Sequence, residues 1–223
     1  TGMSYHPNAW SDTTEMIELC RATSEMNGVY VTHLRNVNTE RAFGSGGVPE
    51  ALEIGRRSGV KVHFSHTRTT IDTAGKVDHV VAEIDMAKAE GVDCTLELYP
   101  YASGSSLALS NLPSYANDGG PDAMLARLKN ADERSRLSRS LEQSQRRPID
   151  DTVISYAPRN RHLEGMSLKD IALQRGLSMG DTLLDLLIEE DLQLGFWGRP
   201  PDSVRVWRQI SRDSVELLSR PDY

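Results

Sequence analysis

The chain has 223 residues, a net charge of −7 and a hydrophobic content of 38%, enough for one large globular domain. The acidic balance and the absence of any block of five basic residues argue against nucleic acid or an anionic membrane surface as the main partner. No apolar run approaches the roughly 18 residues that a membrane span needs, and the first residues lack the pattern of a signal peptide. Cys20 and Cys94 form no C-x-x-C pair, so we expect buried free thiols in a cytoplasmic protein.

Helices alternate with short apolar runs over residues 1–101. The predicted elements, in chain order, are a helix at 11–27 capped by Ser11, a strand at 29–33, a helix at 49–58, a strand at 60–66, a helix at 75–90 and a strand at 92–99. Three strand-helix units in this order indicate a parallel α/β sheet with helices outside it. Polar residues recur at the strand ends, which favours a partial TIM-like (β/α) barrel over an open sheet.

The character of the chain changes after Tyr101. A Ser-, Asn- and Gly-rich loop is predicted at 102–120, charged helices at 121–145, a strand at 151–157, and helices at 168–175, 181–190 and 203–219. This stretch is too long for one crossover. We therefore interpret 102–223 as a helical insertion after the third strand followed by later helices, within a single catalytic-barrel segment spanning 1–223.

Two of the predicted strands end in the same pattern. Each ends in a hydroxyl residue, a histidine, one spacer and an arginine: Thr32-His33-Leu34-Arg35 and Ser65-His66-Thr67-Arg68. The carboxyl ends of parallel barrel strands meet at one rim, so His33 and His66 are expected to converge there. Paired imidazoles suit a divalent ion, most often zinc. A lone strand histidine is commonly a core or surface residue, and only the repetition favours the metal site.

The third strand brings Tyr99 to the same rim, where its hydroxyl could stabilise an oxyanion or simply be a satisfied buried group. Arg68 could be a clamp for a substrate carboxylate or a loop arginine that caps a carbonyl or pairs with a carboxylate, and Arg35 is interpreted as a structural residue. Strand alternation predicts that His66 shares its face with Phe64 and Val62. It likewise places His33 with Val31 and Val29, and Tyr99 with Glu97.

These segments resemble the N-acyl-D-amino-acid deacylases (D-aminoacylases) of the metal-dependent amidohydrolase superfamily. Residues 28–35 resemble the family's G-x-Y-x-T-H-x-R strand, 65–68 its S-H-x-K, and 97–101 its D-x-Y-P-Y. Residues 1–7, 111–113 and 165–172 also resemble family segments. Several motifs in the family's order, over most of the chain, are more specific than any one of them.

The resemblance implies a TIM-like barrel in which His33 and His66 are zinc ligands. It also implies that Tyr5, Arg68 and Tyr99 line the substrate pocket, with Tyr99 stabilising the tetrahedral intermediate. The implied reaction is hydrolysis of an N-acyl-D-amino acid to a carboxylate and a D-amino acid. Arg68 stands where the family has lysine, and Glu97 where it has aspartate, which leaves the side-chain and acyl preference open.

Other family motifs have no counterpart here, namely the opening H-x-H strand, a cysteine ligand and the closing Gly-Ser-Asp. We therefore expect a fragment that lacks the N-terminal and C-terminal parts of the barrel, binds metal weakly and does not turn over alone. An open barrel edge favours self-association. Two alternatives stay open: a cyclic-amide hydrolase of the hydantoinase or dihydroorotase kind, and a non-catalytic barrel fragment.

Overall fold

The computed structural model describes residues 1–5, 8–35, 39, 42–144, 149–150, 152–198, 200–221 and 223. The chain divides into two compact units. The first comprises Thr1–Ala102 and Pro201–Tyr223, and the second comprises Ser103–Pro200. Residues 201–223, predicted to contain the last of the later helices, belong to the first unit. Leu217 packs there against Val77 and Val81.

The first unit is a parallel three-stranded sheet with helices. Its elements are α1 (Thr13–Glu25), β1 (Val29–Thr32), α2 (Gly47–Ser58), β2 (Lys61–Thr67), α3 (Val77–Ala89), β3 (Cys94–Leu98) and α8 (Val204–Leu218), with 3-10 turns at Asn8–Trp10 and Phe43–Ser45. The strand order is β1-β2-β3, and both pairings are parallel. The predicted strand-helix order is confirmed for these elements. The helix cap differs, because Asp12 rather than Ser11 accepts from the Glu15 amide.

The N-terminal residues extend the sheet beside β1. Gly2 forms a parallel bridge with His33; the Met3 amide donates to the His33 carbonyl, and the His33 amide donates to the Thr1 carbonyl, both at 2.9 Å. This pairing fixes the backbone of His33 and brings Tyr5, two residues further on, to the end of β1.

One face of the sheet packs against the helices and forms the core of the unit. Tyr30 pairs in register with Val62, and Val62 with Cys94, and all three side chains are buried in this core. On the opposite face Val29 and Val31 are 46% and 44% exposed. Burial of a large apolar side chain of the core, such as Val62, contributes roughly 1.5–3 kcal/mol to the stability of the fold.

The second unit is built around an antiparallel sheet and helices. Its elements are β4 (Ser105–Leu107), α4 (Gly120–Lys129), α5 (Ala131–Glu142), β5 (Thr152–Tyr156), α6 (Leu168–Arg175), α7 (Met179–Glu189) and β6 (Gly195–Gly198), with 3-10 turns at Ala108–Asn111, Ser114–Asn117 and Arg161–Leu163. The strand order is β4-β6-β5. The predicted strand and the helices α6 and α7 are confirmed, whereas β4 and β6 were not predicted.

Across the described ranges, the parallel strands form an open sheet and no closed barrel. No described helix combines the length and the apolar character needed to cross a membrane. Cys20 and Cys94 are buried free thiols, as predicted, and burial raises the pKa of each thiol to about 11.

Candidate metal centre and active site

His33 and His66 meet at the carboxyl ends of neighbouring parallel strands. Their ring centroids are 5.4 Å apart and the ring planes cross at 63°. Zinc binds an imidazole nitrogen at about 2.0–2.1 Å, so two rings sharing one tetrahedral ion have centroids roughly 5 Å apart. The observed separation therefore fits two ligands of a single ion.

His66 reaches this position through an irregular backbone. Its φ is +63°, a left-handed conformation that is uncommon for any residue other than glycine. The register between β2 and β3 also shifts between Phe64 and Thr67. Val62 and Phe64 point into the helix-side core, whereas His66 faces His33. His66 therefore does not share their face, contrary to the prediction from simple alternation. The irregularity takes His66 out of the Phe64 face and places it beside His33.

A carboxylate lies next to His66. Glu97 Oε1 is 3.5 Å from His66 Nδ1, and Glu97 Oε2 is 4.0 Å from His63 Nε2. The other ring nitrogen of His63, Nδ1, is 2.7 Å from Thr95 Oγ1. A carboxylate beside the non-ligating nitrogen of a metal histidine helps to fix its tautomer. An Nδ1–H of His66 that faces Glu97 leaves the Nε2 lone pair of the same ring available.

The residues that the structure describes contain no group of three or more His, Cys, Asp or Glu side chains arranged to hold a metal ion. The two cysteines do not add to the pair, because both lie in the helix-side core and have raised thiol pKa values. Among the described residues the two histidines therefore stand as a pair without a third candidate ligand beside them, and their role as metal ligands stays a prediction.

Aromatic rings continue the site on both sides of the histidine pair. Tyr5 lies 4.9 Å from His33, and Tyr99 lies 5.9 Å from His66, measured between ring centroids. Tyr101 follows at 5.6 Å from Tyr99. Tyr5 and Tyr99, both predicted as site residues, are therefore brought to the histidines, and Tyr101 was not singled out by the sequence.

Arg68 joins this row from the loop after β2. Its guanidinium carbon is 4.7 Å from the Tyr99 ring centroid, and its Nη1 donates to the Tyr101 carbonyl. Burial lowers the pKa of Arg68, with Tyr99 opposing that effect. A guanidinium nevertheless stays charged at neutral pH. Arg68 therefore offers a positive charge held in place, and N–H donors besides the one that binds the Tyr101 carbonyl.

Arg35, the arginine of the first motif, is buried and structural. Its Nε donates to Glu50 Oε2 at 2.8 Å, and its Nη1 donates to the Ala9 carbonyl at 3.2 Å. Both side chains of the pair are 2% exposed. Thr13 donates to the same Glu50 at 2.9 Å. The pair ties the end of β1 to α2, a role that sequence spacing favoured for Arg35 without identifying Glu50.

Comparisons with known proteins find similarity to deacylases of N-acyl-D-amino acids. No family model matches the chain. An N-acyl-D-glutamate deacylase of Alcaligenes xylosoxydans xylosoxydans is 30% identical over 119 residues, 53% of this chain and 24% of that protein. A D-aminoacylase of the same organism is 34% identical over 108 residues, 48% of this chain and 22% of that protein. The chain thus spans about a quarter of the length of these curated relatives.

Comparison with solved structures also finds D-aminoacylases and a related deacylase. A crystal structure of D-aminoacylase, described as defining a subset of amidohydrolases, matches with a TM-score of 0.58 at 25% identity over 97% of this chain and 35% of that one. The N-acyl-D-glutamate deacylase of Bordetella bronchiseptica, complexed with zinc and a phosphonate inhibitor, matches with a TM-score of 0.62 at 23% identity, over 93% of this chain and 35% of that chain, which shows the shared fold. Of these similar structures, the D-aminoacylase is described as an amidohydrolase and the deacylase is the one complexed with zinc. The predicted resemblance to the N-acyl-D-amino-acid deacylases is confirmed.

Proposed function

We propose that this chain supplies part of the active site of a zinc-dependent hydrolase that cleaves the amide bond of N-acyl-D-amino acids, releasing a D-amino acid and a carboxylate. The observation that carries the proposal is the His33–His66 pair, with ring centroids 5.4 Å apart at the ends of parallel strands. Deacylase relatives match this chain at 30% and 34% identity, which supports the same reaction class.

His33 and His66 would hold the zinc ion. When bound, the ion lowers the pKa of a coordinated water and polarises a carbonyl oxygen. Glu97, 3.5 Å from His66 Nδ1, orients that ring. Tyr5, whose ring is tilted by 40° to the His33 ring at a centroid distance of 4.9 Å, lines the pocket and limits the rotation of that imidazole.

Tyr99 and Arg68 act on the substrate. The Tyr99 hydroxyl donates a hydrogen bond to the oxygen that becomes negative as the amide carbonyl is attacked. The Arg68 guanidinium binds the substrate carboxylate through its planar fork. Its contacts with the Tyr99 ring and the Tyr101 carbonyl place the cation beside the oxyanion donor. Carboxylate binding and acyl activation thereby occur at one end of the sheet.

We also propose a barrel fold and a cellular location for the protein. The three parallel strands would form part of a TIM-like barrel whose rim carries the site, within a single catalytic segment spanning 1–223. The second unit would be an insertion after the third strand. We place the protein in the cytoplasm, where buried thiols such as Cys20 and Cys94 stay reduced.

A substrate panel tests the function in the full-length, zinc-loaded protein. We expect hydrolysis of N-acetyl-D-amino acids over their L-enantiomers and over cyclic imides. His66→Ala should lower kcat/KM by at least about a thousandfold, roughly 4 kcal/mol of transition-state stabilisation. A loss under about tenfold would end the assignment. Faster turnover of cyclic imides would favour a hydantoinase-like enzyme, and a metal-free, inactive protein would favour a binding module.

A further inference from the structure

Asp213 is a buried carboxylate, 1% exposed, on the helix α8. Its Oδ2 accepts from the Thr69 hydroxyl at 2.7 Å and from the Gly75 amide at 2.8 Å. Its Oδ1 accepts from Gln209 Nε2 at 2.8 Å. A buried carboxylate is stable only when its oxygens are hydrogen bonded, and here both oxygens are.

The two donors outside α8 lie at the two ends of one loop, residues 69–75. Within the loop, the Thr70 amide donates to Thr73 Oγ1 at 2.8 Å, and the Lys76 amide donates to the Thr73 carbonyl at 2.9 Å. The following helix α3 has no side-chain cap of its own at Lys76. Asp213 is thus the group that ties both ends of this loop to the body of the unit.

The loop begins one residue after Arg68. Thr69 is 2% exposed and turned toward Asp213, whereas the Arg68 side chain extends to Tyr99 and Tyr101. Fixing the Thr69 side chain inward fixes the backbone that carries Arg68 outward. An anchored backbone fixes the point from which the long Arg68 side chain extends, and so favours the rotamers that reach Tyr99 and Tyr101.

We propose that Asp213 is a positioning residue for Arg68, and that it acts through Thr69 to hold the guanidinium against the Tyr99 ring. The link to catalysis rests on the proposed function, in which Arg68 binds the substrate carboxylate. Asp213 itself does not touch that site, and it lies 144 positions from Thr69 in the chain.

The NMR resonance of the Arg68 Nε–H group in the zinc-loaded protein tests the proposed positioning. This resonance is assigned by its disappearance in Arg68→Lys. In the wild type the Tyr99 ring should shift this resonance upfield. In Asp213→Ala the folded protein should lose that shift. Thr69→Val, which removes only the hydroxyl, should do the same, and Thr69→Ser should restore it. Because Thr69→Val is nearly isosteric, it decides the question if Asp213→Ala does not fold.

A residue that only stabilises the fold would behave differently. Its loss would lower the melting temperature and leave the Arg68 resonance of the folded protein unchanged, and that result would overturn the proposal. So would a Thr69→Ser variant that resembles Thr69→Val. Thr70→Val, at an exposed neighbour, is the matched control and should leave the resonance in place.

Titration of the zinc-free protein with N-acetyl-D-alanine, which is then not hydrolysed, adds a binding readout. The dissociation constant should rise about three- to tenfold in Thr69→Val, the effect of one lost buried hydrogen bond, and Thr69→Ser should bind like the wild type. If the wild type itself shows no saturable binding, the substrate role of Arg68 fails, while the resonance of Arg68 still decides whether Asp213 positions it.

Discussion

His66 stands beside His33 because its backbone leaves the regular strand. Simple alternation from the buried Phe64 would have turned the His66 side chain toward the helices, but φ at His66 is +63° and the register with β3 shifts there. A non-glycine residue in this conformation costs of order 1–3 kcal/mol, and such strain concentrates at functional sites. The left-handed backbone at His66 accompanies the placement of its imidazole beside His33.

The difference in unfolding free energy between a glycine and an alanine variant should have opposite signs at His66 and His63, two histidines of β2. His66→Gly should be more stable than His66→Ala by about 1 kcal/mol, because glycine relieves the left-handed backbone. His63, in the regular part of the strand, is the matched control. There the glycine variant should be less stable than the alanine variant by about 0.5–1 kcal/mol.

Urea unfolding of the four variants gives these differences directly. Equal penalties for glycine at both positions would show that His66 stores no backbone strain.

Local patterns in the sequence predicted much of the first unit. Short apolar runs alternating with helices, and repeated polar strand ends, indicated a parallel sheet with histidines at one edge, and the structure has both. The irregularity at His66 has no local signal, because it depends on the strand partner. The pairing of Thr69 with Asp213, 144 positions apart, and of Arg35 with Glu50 arises from tertiary packing alone. The short strands β4 and β6, rich in serine and glycine, show no alternation to read.

Breaking the buried Arg35–Glu50 pair should lower the unfolding free energy more than breaking an exposed arginine–glutamate pair. Arg35→Met leaves the Glu50 carboxylate buried without its cation and should cost about 3–5 kcal/mol of unfolding free energy. Arg56→Met, which breaks the exposed Arg56–Glu90 pair, is the control and should cost less than about 1 kcal/mol. Denaturant melts would measure both, and similar losses for the two variants would contradict the structural role of Arg35.

Stability should depend on pH through Asp213. Burial alone would raise the pKa of this carboxyl, but hydrogen bonds from Gly75, Thr69 and Gln209 outweigh it, and the pKa is lowered. Because the folded pKa lies below the unfolded value of about 3.9, the carboxylate stabilises the fold above that pH and loses this effect as the pH falls through the folded value.

Asp213→Asn removes this titration. The wild type should exceed Asp213→Asn in unfolding free energy by about 1–3 kcal/mol near neutral pH, and the gap should narrow below about pH 4. Exposed Asp72, replaced by asparagine, should show little difference at any pH. A gap for Asp213→Asn that is the same at pH 3 and pH 7 would refute the argument.

Zinc titration by calorimetry tests most directly whether His33 and His66 share one metal ion. For the 223-residue chain we expect one zinc per molecule, with a dissociation constant above about 1 µM, because the described residues hold no group of three or more side chains arranged to bind a metal ion. Either His33→Ala or His66→Ala should abolish the binding, and His79→Ala, at an exposed helix position, should leave it intact. Submicromolar binding that survives the double substitution of His33 and His66, or no zinc uptake by the wild type, would contradict the shared site.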